Sequence, residues 1–410
     1  MAAPTASTLA ELRAACPQVR PATDDDVVDG VPARWVARPA GTEEVSSVLR
    51  AAADLGLHVV PRGAGTRMSW GTPPRALDLI LDTARMDAVV AHAAGDLVVT
   101  TQAGLRLADL QDALAPYRQR LAVDGGGTGG TIGGTVATAA AGPLRYRYGS
   151  VRDLIIGITV VLADGTVTRS GGAVVKNVAG YDLAKLYTGS LGTLGIITEA
   201  VFRLHPLPDT SRWITAGTDV PERAAAAVAA VRNSQNDPVA LEVDRTLPGG
   251  QVTVGVALEG VAEGIAARAD DVADLLSRNT GTQSSITTTP PDWWGLPPHA
   301  ADRPAVVVTC EPTGLAALLA EAPGSLRGSA GAGVLVVGLH DIDRVAPDLA
   351  ELRALAARHG GTAVVRCAPP RLKSGLDVWG PVPALALMRR LKDEFDPQHR
   401  LAPGRFVGGI

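Results

Sequence analysis

The run at residues 124–134, DGGGTGGTIGG, constrains the chain more than any other stretch, because seven of its eleven residues are glycine. Glycine inside a helix or strand costs about 0.5–1 kcal/mol relative to alanine, so ordinary secondary structure is not expected there. Such a run offers bare backbone that a ligand can approach closely. A second, shorter glycine segment, PRGAGT at Pro61–Thr66, lies roughly sixty residues upstream, directly after the apolar HVV. Each segment is followed by strand-rich sequence. That pattern suits a long ligand lying across a cleft between two small subdomains and gripped by backbone at several points.

Each motif also has a plainer reading. The amides of PRGAGT, free of large side chains, can converge on an anion such as a phosphate, and the same hexapeptide also fits a simple glycine turn after a strand. Gly125–Gly130 satisfies the letters GxGxxG, but a dinucleotide fingerprint needs a strong strand before it and a helix after it. Only RLAV precedes this one, and more glycine and then Pro143 follow, so the context argues against a nicotinamide site. Asp153, just ahead of LIIGITVVL, is placed either to accept from a ring N–H or hydroxyl or simply to cap.

The chain has 410 residues, 46% apolar and 20% charged, enough for two or three domains with substantial cores. Aromatics make up 3% and glycines number 46, so small residues do much of the packing. A net charge of −4 gives no basic footprint for nucleic acid. No apolar run approaches the roughly 20 residues of a membrane helix. The N-terminus has no basic residue before Glu11 and no continuous apolar core, which speaks against a secretory signal and for a cytoplasmic protein, peripheral to a membrane only through partners. Cys16, Cys310 and Cys367 are far apart in sequence and encode neither a disulfide framework nor an iron–sulfur site. The seven histidines show no paired spacing, so no metal site is expected.

Periodicity predicts a strand near WVARPA, a helix capped by Thr42 with Glu43 and Glu44 in its first turn, and a strand ending at the first glycine loop. Short strands at 77–81 and 97–102 and a helix at 107–114 follow. Residues 151–162 read as one buried strand closed by the hairpin signal Ala163-Asp164-Gly165, and 195–205 as another strand. After Pro208 the texture becomes an α+β series: strands near 213–216, 239–243, 251–257, 305–309, 333–337 and 362–366, with helices at 221–232, 262–276, 313–320 and 345–357. A last helix at 383–395 runs into an extended tail. No internal repeat is evident in the sequence.

Taken together, PRGAGT, GGTIGGTVATAAAGPLRYRYGSVRDLI, ADGTV, GGAVVKNVAGYDLAKLYTGSLGTLGIITEAVFRLHPLP and KDEFDPQHRLAPGRF resemble the FAD-binding oxidoreductases of the vanillyl-alcohol oxidase, or p-cresol methylhydroxylase (PCMH), type. Within that group the chain is most similar to the FAD-binding subunit of multisubunit glycolate oxidase. The resemblance covers residues 30–208 and the C-terminal twenty. It implies an α+β fold with a two-subdomain PCMH-type FAD domain at 1–208, a ferredoxin-like α+β cap at 209–380 that covers the isoalloxazine, and a C-terminal segment at 381–410 that returns to the FAD domain.

It also implies the cofactor-contacting set. Pro61, Arg62, Gly63, Ala64, Gly65, Thr66 and Ser69 form the first loop, and Thr131, Ile132, Gly133, Gly134, Thr138 and Gly142 the second, the two loops cradling the pyrophosphate. Gly149, Val151 and Asp153, with Gly195, Ile196 and Ile197, flank the flavin and adenine ends. Tyr181 and Asp182 would fix the segment leading to Ile196, with Lys176 toward the flavin.

Covalent relatives often carry a histidine near the first loop; RGAGTRMSWG has none, so noncovalent FAD is expected. Related hydroxyacid dehydrogenases carry HxGDGNxH-like cap motifs, absent here, and position 191 is Leu where such relatives show Glu, while Ala402 replaces the usual Asn. No catalytic residue is assigned. The leading reading is a flavoprotein subunit that oxidises a small 2-hydroxy acid, glycolate first, beside a sister flavoprotein subunit and an iron–sulfur subunit. The alternatives are a free-standing FAD-dependent alcohol or sugar oxidase, with Arg366, Trp379 and His340 as unranked cap candidates, and a non-catalytic flavin carrier.

Overall fold

A computed structural model describes residues 6–125, 129–172, 182–300 and 302–410. Gly126, Gly127 and Thr128 of the glycine-rich run, together with Lys176 and Tyr181, lie outside the described residues. Contacts divide the chain into two compact units. The first comprises Met1–Ala140, Ser150–Pro206 and Pro381–Ile410, and the second Ala141–Gly149 and Leu207–Gly380.

Among its described residues the first unit holds two short two-stranded ribbons and two main sheets, of four and five strands. In the smaller, the strand Trp35–Ala37, the helix Thr42–Asp54 and the strand Val59–Arg62 form a crossover, and Leu79–Asp82 lies between the two strands, parallel to both. Val19–Pro21 pairs antiparallel on the outer side. The helix forms because Val45, Val48, Leu49 and Ala52 recur on one face, which packs on Trp35, Val59 and Leu79. Glu43 and Glu44 occupy its first turn as expected, but Gly41 is the N-cap and no side chain caps it. Thr42 Oγ1 is engaged elsewhere, 2.9 Å from the hydroxyl of Thr198.

The larger sheet is antiparallel, in the order Val167–Gly171, Ile155–Val161, Ile196–Arg203, Val98–Gln102, Val89–Ala93. The hairpin at Ala163-Asp164-Gly165 is present: Gly165 takes φ 85° and Asp164 Oδ1 accepts from the Thr166 amide at 2.8 Å. Two local expectations are corrected. Residues 151–154 are a helical turn, not the start of the strand, because Ser150 and Asp153 form a capping box. Residues 132–138 are a short helix, not a loop, with Thr131 as N-cap accepting from the Gly134 amide at 3.2 Å. Glycine is used there for contact: a Cβ on Gly133 would press on Ala103.

The second unit is one eight-stranded antiparallel sheet. Its order is Ser285–Thr287, Thr210–Thr218, Val252–Gly260, Ala240–Arg245, Ser325–Ser329, Val334–Gly338, Ala305–Thr309, Ala363–Cys367. The helices Pro221–Arg232, Ala262–Thr280, Leu315–Glu321 and Val345–Arg358 complete it, and their apolar faces share a core with Leu241, Val254, Val306 and Leu335. In chain order the unit is strand, helix, two strands, helix, strand, twice over. Each half is a ferredoxin-like βαββαβ motif, and the halves join where Ala240–Arg245 pairs with Ser325–Ser329. The structure therefore contains an internal repeat that the sequence hides, along with two short strands, Ser285–Thr287 and Ser325–Ser329, that periodicity missed.

Candidate cofactor-binding site

The first unit contains a cleft with about 750 Å³ of free space counted out to its open mouth. The two glycine-bearing segments meet in it. Pro61, Arg62, Gly63, Ala64, Gly65 and Thr66 line one side, and Thr131, Gly133, Gly134 and Thr138 another, with Gly195 and Ile197 nearby. Gly63 and Thr131 are so close that a Cβ on Gly63 would overlap the threonine hydroxyl.

The two segments contribute in different ways. The amides of Gly63, Ala64, Gly65 and Thr66 donate to no acceptor among the described residues, and Ala64–Thr66 are exposed. In the short helix the corresponding groups are already committed: Ile132 N donates to Leu105 O at 2.8 Å, Gly133 N to Ala103 O at 2.7 Å and Gly134 N to the Thr131 hydroxyl. The Thr138 hydroxyl donates to Gly134 O at 2.7 Å. The first loop is thus the anion-receptive side, and the second supplies a smooth, side-chain-poor wall.

Other expected residues fall elsewhere. Ile132 and Val151 are buried in the interior and Asp153 is held in its capping box, accepting from Ser150 N at 2.8 Å. Ile196 packs into the core with Trp35 and Val161, because successive strand residues face opposite ways and Ile197 takes the cleft side. Ser69 does not line the cleft, and Gly142 and Gly149 belong to the second unit.

Sequence reasoning named Arg62 but missed two of the groups that give the cleft its charge, Arg67 and Arg405. Among the described residues lining it, the ionisable side chains are Arg62, Arg67 and Arg405, and there is no carboxylate, imidazole, thiol or phenol. The Arg62 side chain turns to Asp26 at 3.0 Å and Asp82 at 3.1 Å, which fixes the loop and leaves its backbone to face the cleft. Arg67 is buried and donates to Gly125 O at 2.5 Å, and burial lowers its pKa.

Arg405 arrives from the tail, which runs beside Val59: Val59 N donates to Arg400 O at 2.9 Å and Ala402 N to Val59 O at 2.8 Å. Its Nη2 donates to Met68 O at 2.9 Å and Trp70 O at 2.7 Å. Its Nη1 is buried without a hydrogen-bond partner. Burial pushes the guanidinium down to about 10, against the pull of Asp29, so it remains charged at neutral pH. A buried cationic donor without a partner, beside a loop of free amides, calls for an anionic ligand.

Behind this geometry stands a set of relationships. Residues 33–171 match the family model described as FAD binding domain. An uncharacterised FAD-linked oxidoreductase of Mycobacterium tuberculosis is 28% identical over 94% of this chain and 93% of its own. Glycolate oxidase subunit GlcD of Bacillus subtilis is 34% identical over 50% of this chain and 44% of its own. A solved alkyldihydroxyacetonephosphate synthase covers 98% of this chain and 86% of its own, with a TM-score of 0.75 at 17% identity, a likeness of fold.

Fold and cleft together define a nucleotide-binding flavoprotein architecture. Residues 33–171 form an FAD-binding domain of PCMH type, and the chain is an FAD-dependent oxidoreductase. The cleft fits that cofactor on its own evidence: an orphaned guanidinium N–H, four uncommitted amides and a glycine approach that any side chain would close.

Proposed function

We propose that the chain holds FAD noncovalently in this cleft and is the flavoprotein subunit of a glycolate-oxidase-like complex that oxidises a small 2-hydroxy acid and passes the electrons to a partner. The observation that carries the reading is the cleft's charge pattern: among the described lining residues, the guanidiniums of Arg67 and Arg405 and no acidic side chain stand beside the free amides of residues 63–66. This is a receptor for a diphosphate. When bound, FAD supplies the ring that accepts hydride from the substrate carbon.

The chain's own residues bind and orient. The amides of Gly63–Thr66 and the Nη1 of Arg405 hold the phosphate oxygens, Arg67 adds long-range positive field, and Gly195 and Ile197 give an apolar wall. The absence of a histidine, cysteine or tyrosine among the described lining residues supports noncovalent attachment. The substrate class rests on the likeness to a glycolate oxidase subunit, which extends over half of this chain. Three cysteines are too few for the four thiolates of an iron–sulfur cluster, so the onward carrier is assigned to a partner subunit.

One specific observation favours a second reading, a flavin carrier whose sister subunit does the chemistry: among the described residues lining the cleft there is no proton-accepting side chain. The visible spectrum of the purified chain, recorded anaerobically with and without glycolate, separates the two. Bleaching of the flavin bands identifies a substrate site on this chain. Bands that persist, but bleach once the sister subunit is added, identify the carrier. Acid precipitation should leave all the flavin in the supernatant; flavin retained in the pellet would contradict noncovalent binding.

A further inference from the structure

Leu191 stands on the wall of the cleft in a backbone conformation that suits glycine. Its φ is 52°, in the left-handed region where a Cβ crowds the following carbonyl oxygen, and the residues of the same turn that share this region, Gly189 at 84° and Gly192 at 76°, are both glycine. The helix Ile132–Thr138 holds the turn there, because the carbonyls of its last turn are left over from the intrahelical ladder. Gly189 N donates to Val136 O at 2.9 Å and Leu191 N to Ala137 O at 2.8 Å. Gly192 is pinned from the other side, since a Cβ there would overlap the Pro61 ring. A glycine at 191 would make the same backbone hydrogen bond without the strain.

What leucine adds is a side chain, and Leu191 is half-buried and lines the cleft. Thr131, Gly133, Gly134, Ala137 and Thr138 line it too, so the helix runs along the wall from the first loop, which Thr131 touches at Gly63, to Leu191. Seven residues of helix span about 10 Å. With a diphosphate on the amides of Gly63–Thr66, Leu191 meets the dinucleotide farther along, where a ring system follows the ribose or ribityl chain. Most of the wall between is glycine, alanine or threonine, which makes Leu191 a bulky apolar surface at that end.

We infer that Leu191 is a cofactor-contacting residue whose side chain packs against one of the two ring systems of FAD, and that the turn carries a strained backbone in order to present it. The inference rests on the reading of the cleft as the FAD site. Strain kept for a ligand predicts that relieving it loosens the ligand and leaves the ligand-free chain no less stable. A leucine kept for packing predicts a loss of stability instead.

The test is Leu191→Gly in the full chain, with Leu191→Met as the conservative control. FAD affinity is read by fluorescence titration, and the Tm of the flavin-free chain by circular dichroism. Leu191→Gly should bind FAD about 10-fold more weakly, through the loss of an apolar side-chain contact, while its flavin-free Tm equals or exceeds that of wild type. Leu191→Met, which keeps an apolar side chain of similar volume, should restore most of the affinity. Titration with ADP then names the ring. A matching loss assigns the adenine, and an unchanged ADP affinity with a shifted visible band of bound FAD assigns the isoalloxazine. FAD bound by folded Leu191→Gly as tightly as by wild type, or a lowered flavin-free Tm, would overturn the inference and leave the FAD site standing. A wild-type chain that binds no FAD would remove the site itself.

Discussion

At the scale of single residues, the first unit is anchored by buried ion pairs. Lys392 and Asp396 are both fully buried, and Asp396 Oδ2 also accepts from Leu401 N at 2.7 Å. Replacing the lysine alone leaves an uncompensated carboxylate in the interior, so Lys392→Met should cost about 3–5 kcal/mol in urea unfolding. Lys392→Met with Asp396→Leu should recover much of that loss.

Asp26 is a second anchor, and it steadies Arg62 in the first loop. Its bond to Arg20 at 2.6 Å, together with bonds from Thr23 and Arg62, holds the carboxyl well below the usual carboxylate range. Because the folded pKa is depressed, its contribution is complete above the unfolded value of about 3.9 and is lost as pH falls below it. The difference in Tm between wild type and Asp26→Asn should therefore shrink as pH drops from 5 toward 3; a constant difference would contradict this. Neither anchor was legible in the sequence, since a lone lysine near the C-terminus or a lone aspartate near the N-terminus carries no sign of its partners. Arg405 was hidden for the same reason.

At the scale of elements, patterns that are local in sequence were legible. The helices Pro221–Arg232 and Leu107–Leu114 and the strand Ala305–Thr309 stand where periodicity placed them, and the Asp164-Gly165 hairpin follows from its turn chemistry. The glycine-rich helix Ile132–Thr138 did not follow, because a tertiary contact between Gly133 and Ala103 outweighs glycine's poor propensity. That helix ends on Ala139 at φ 49°, a left-handed C-cap that favours glycine. Ala139→Gly should stabilise the protein by about 0.5–1 kcal/mol, read as a higher denaturation midpoint. Ala402 is likewise left-handed at φ 43°, a conformation asparagine tolerates better than alanine.

At the scale of the whole molecule, motif spacing carried the FAD-binding architecture and the convergence of the two glycine segments, because both rest on backbone and need few side chains. The duplication within the second unit was not legible. Its two halves share the order of their elements and not their residues, and the pairing that joins them, Glu242 with Ser329 and Asp244 with Arg327, is long-range.

The central claim is that the cleft between those segments is the FAD site. Its most direct test is titration of the flavin-free full chain with FAD, followed by fluorescence quenching, for wild type, Gly63→Val and Arg405→Met, with folding checked by circular dichroism. One FAD should bind per wild-type chain. Arg405→Met should bind about 10- to 100-fold more weakly through the loss of a charged donor, and Gly63→Val should not bind measurably. A wild-type chain that binds no FAD, or folded variants that bind it as tightly as wild type, would contradict the assignment.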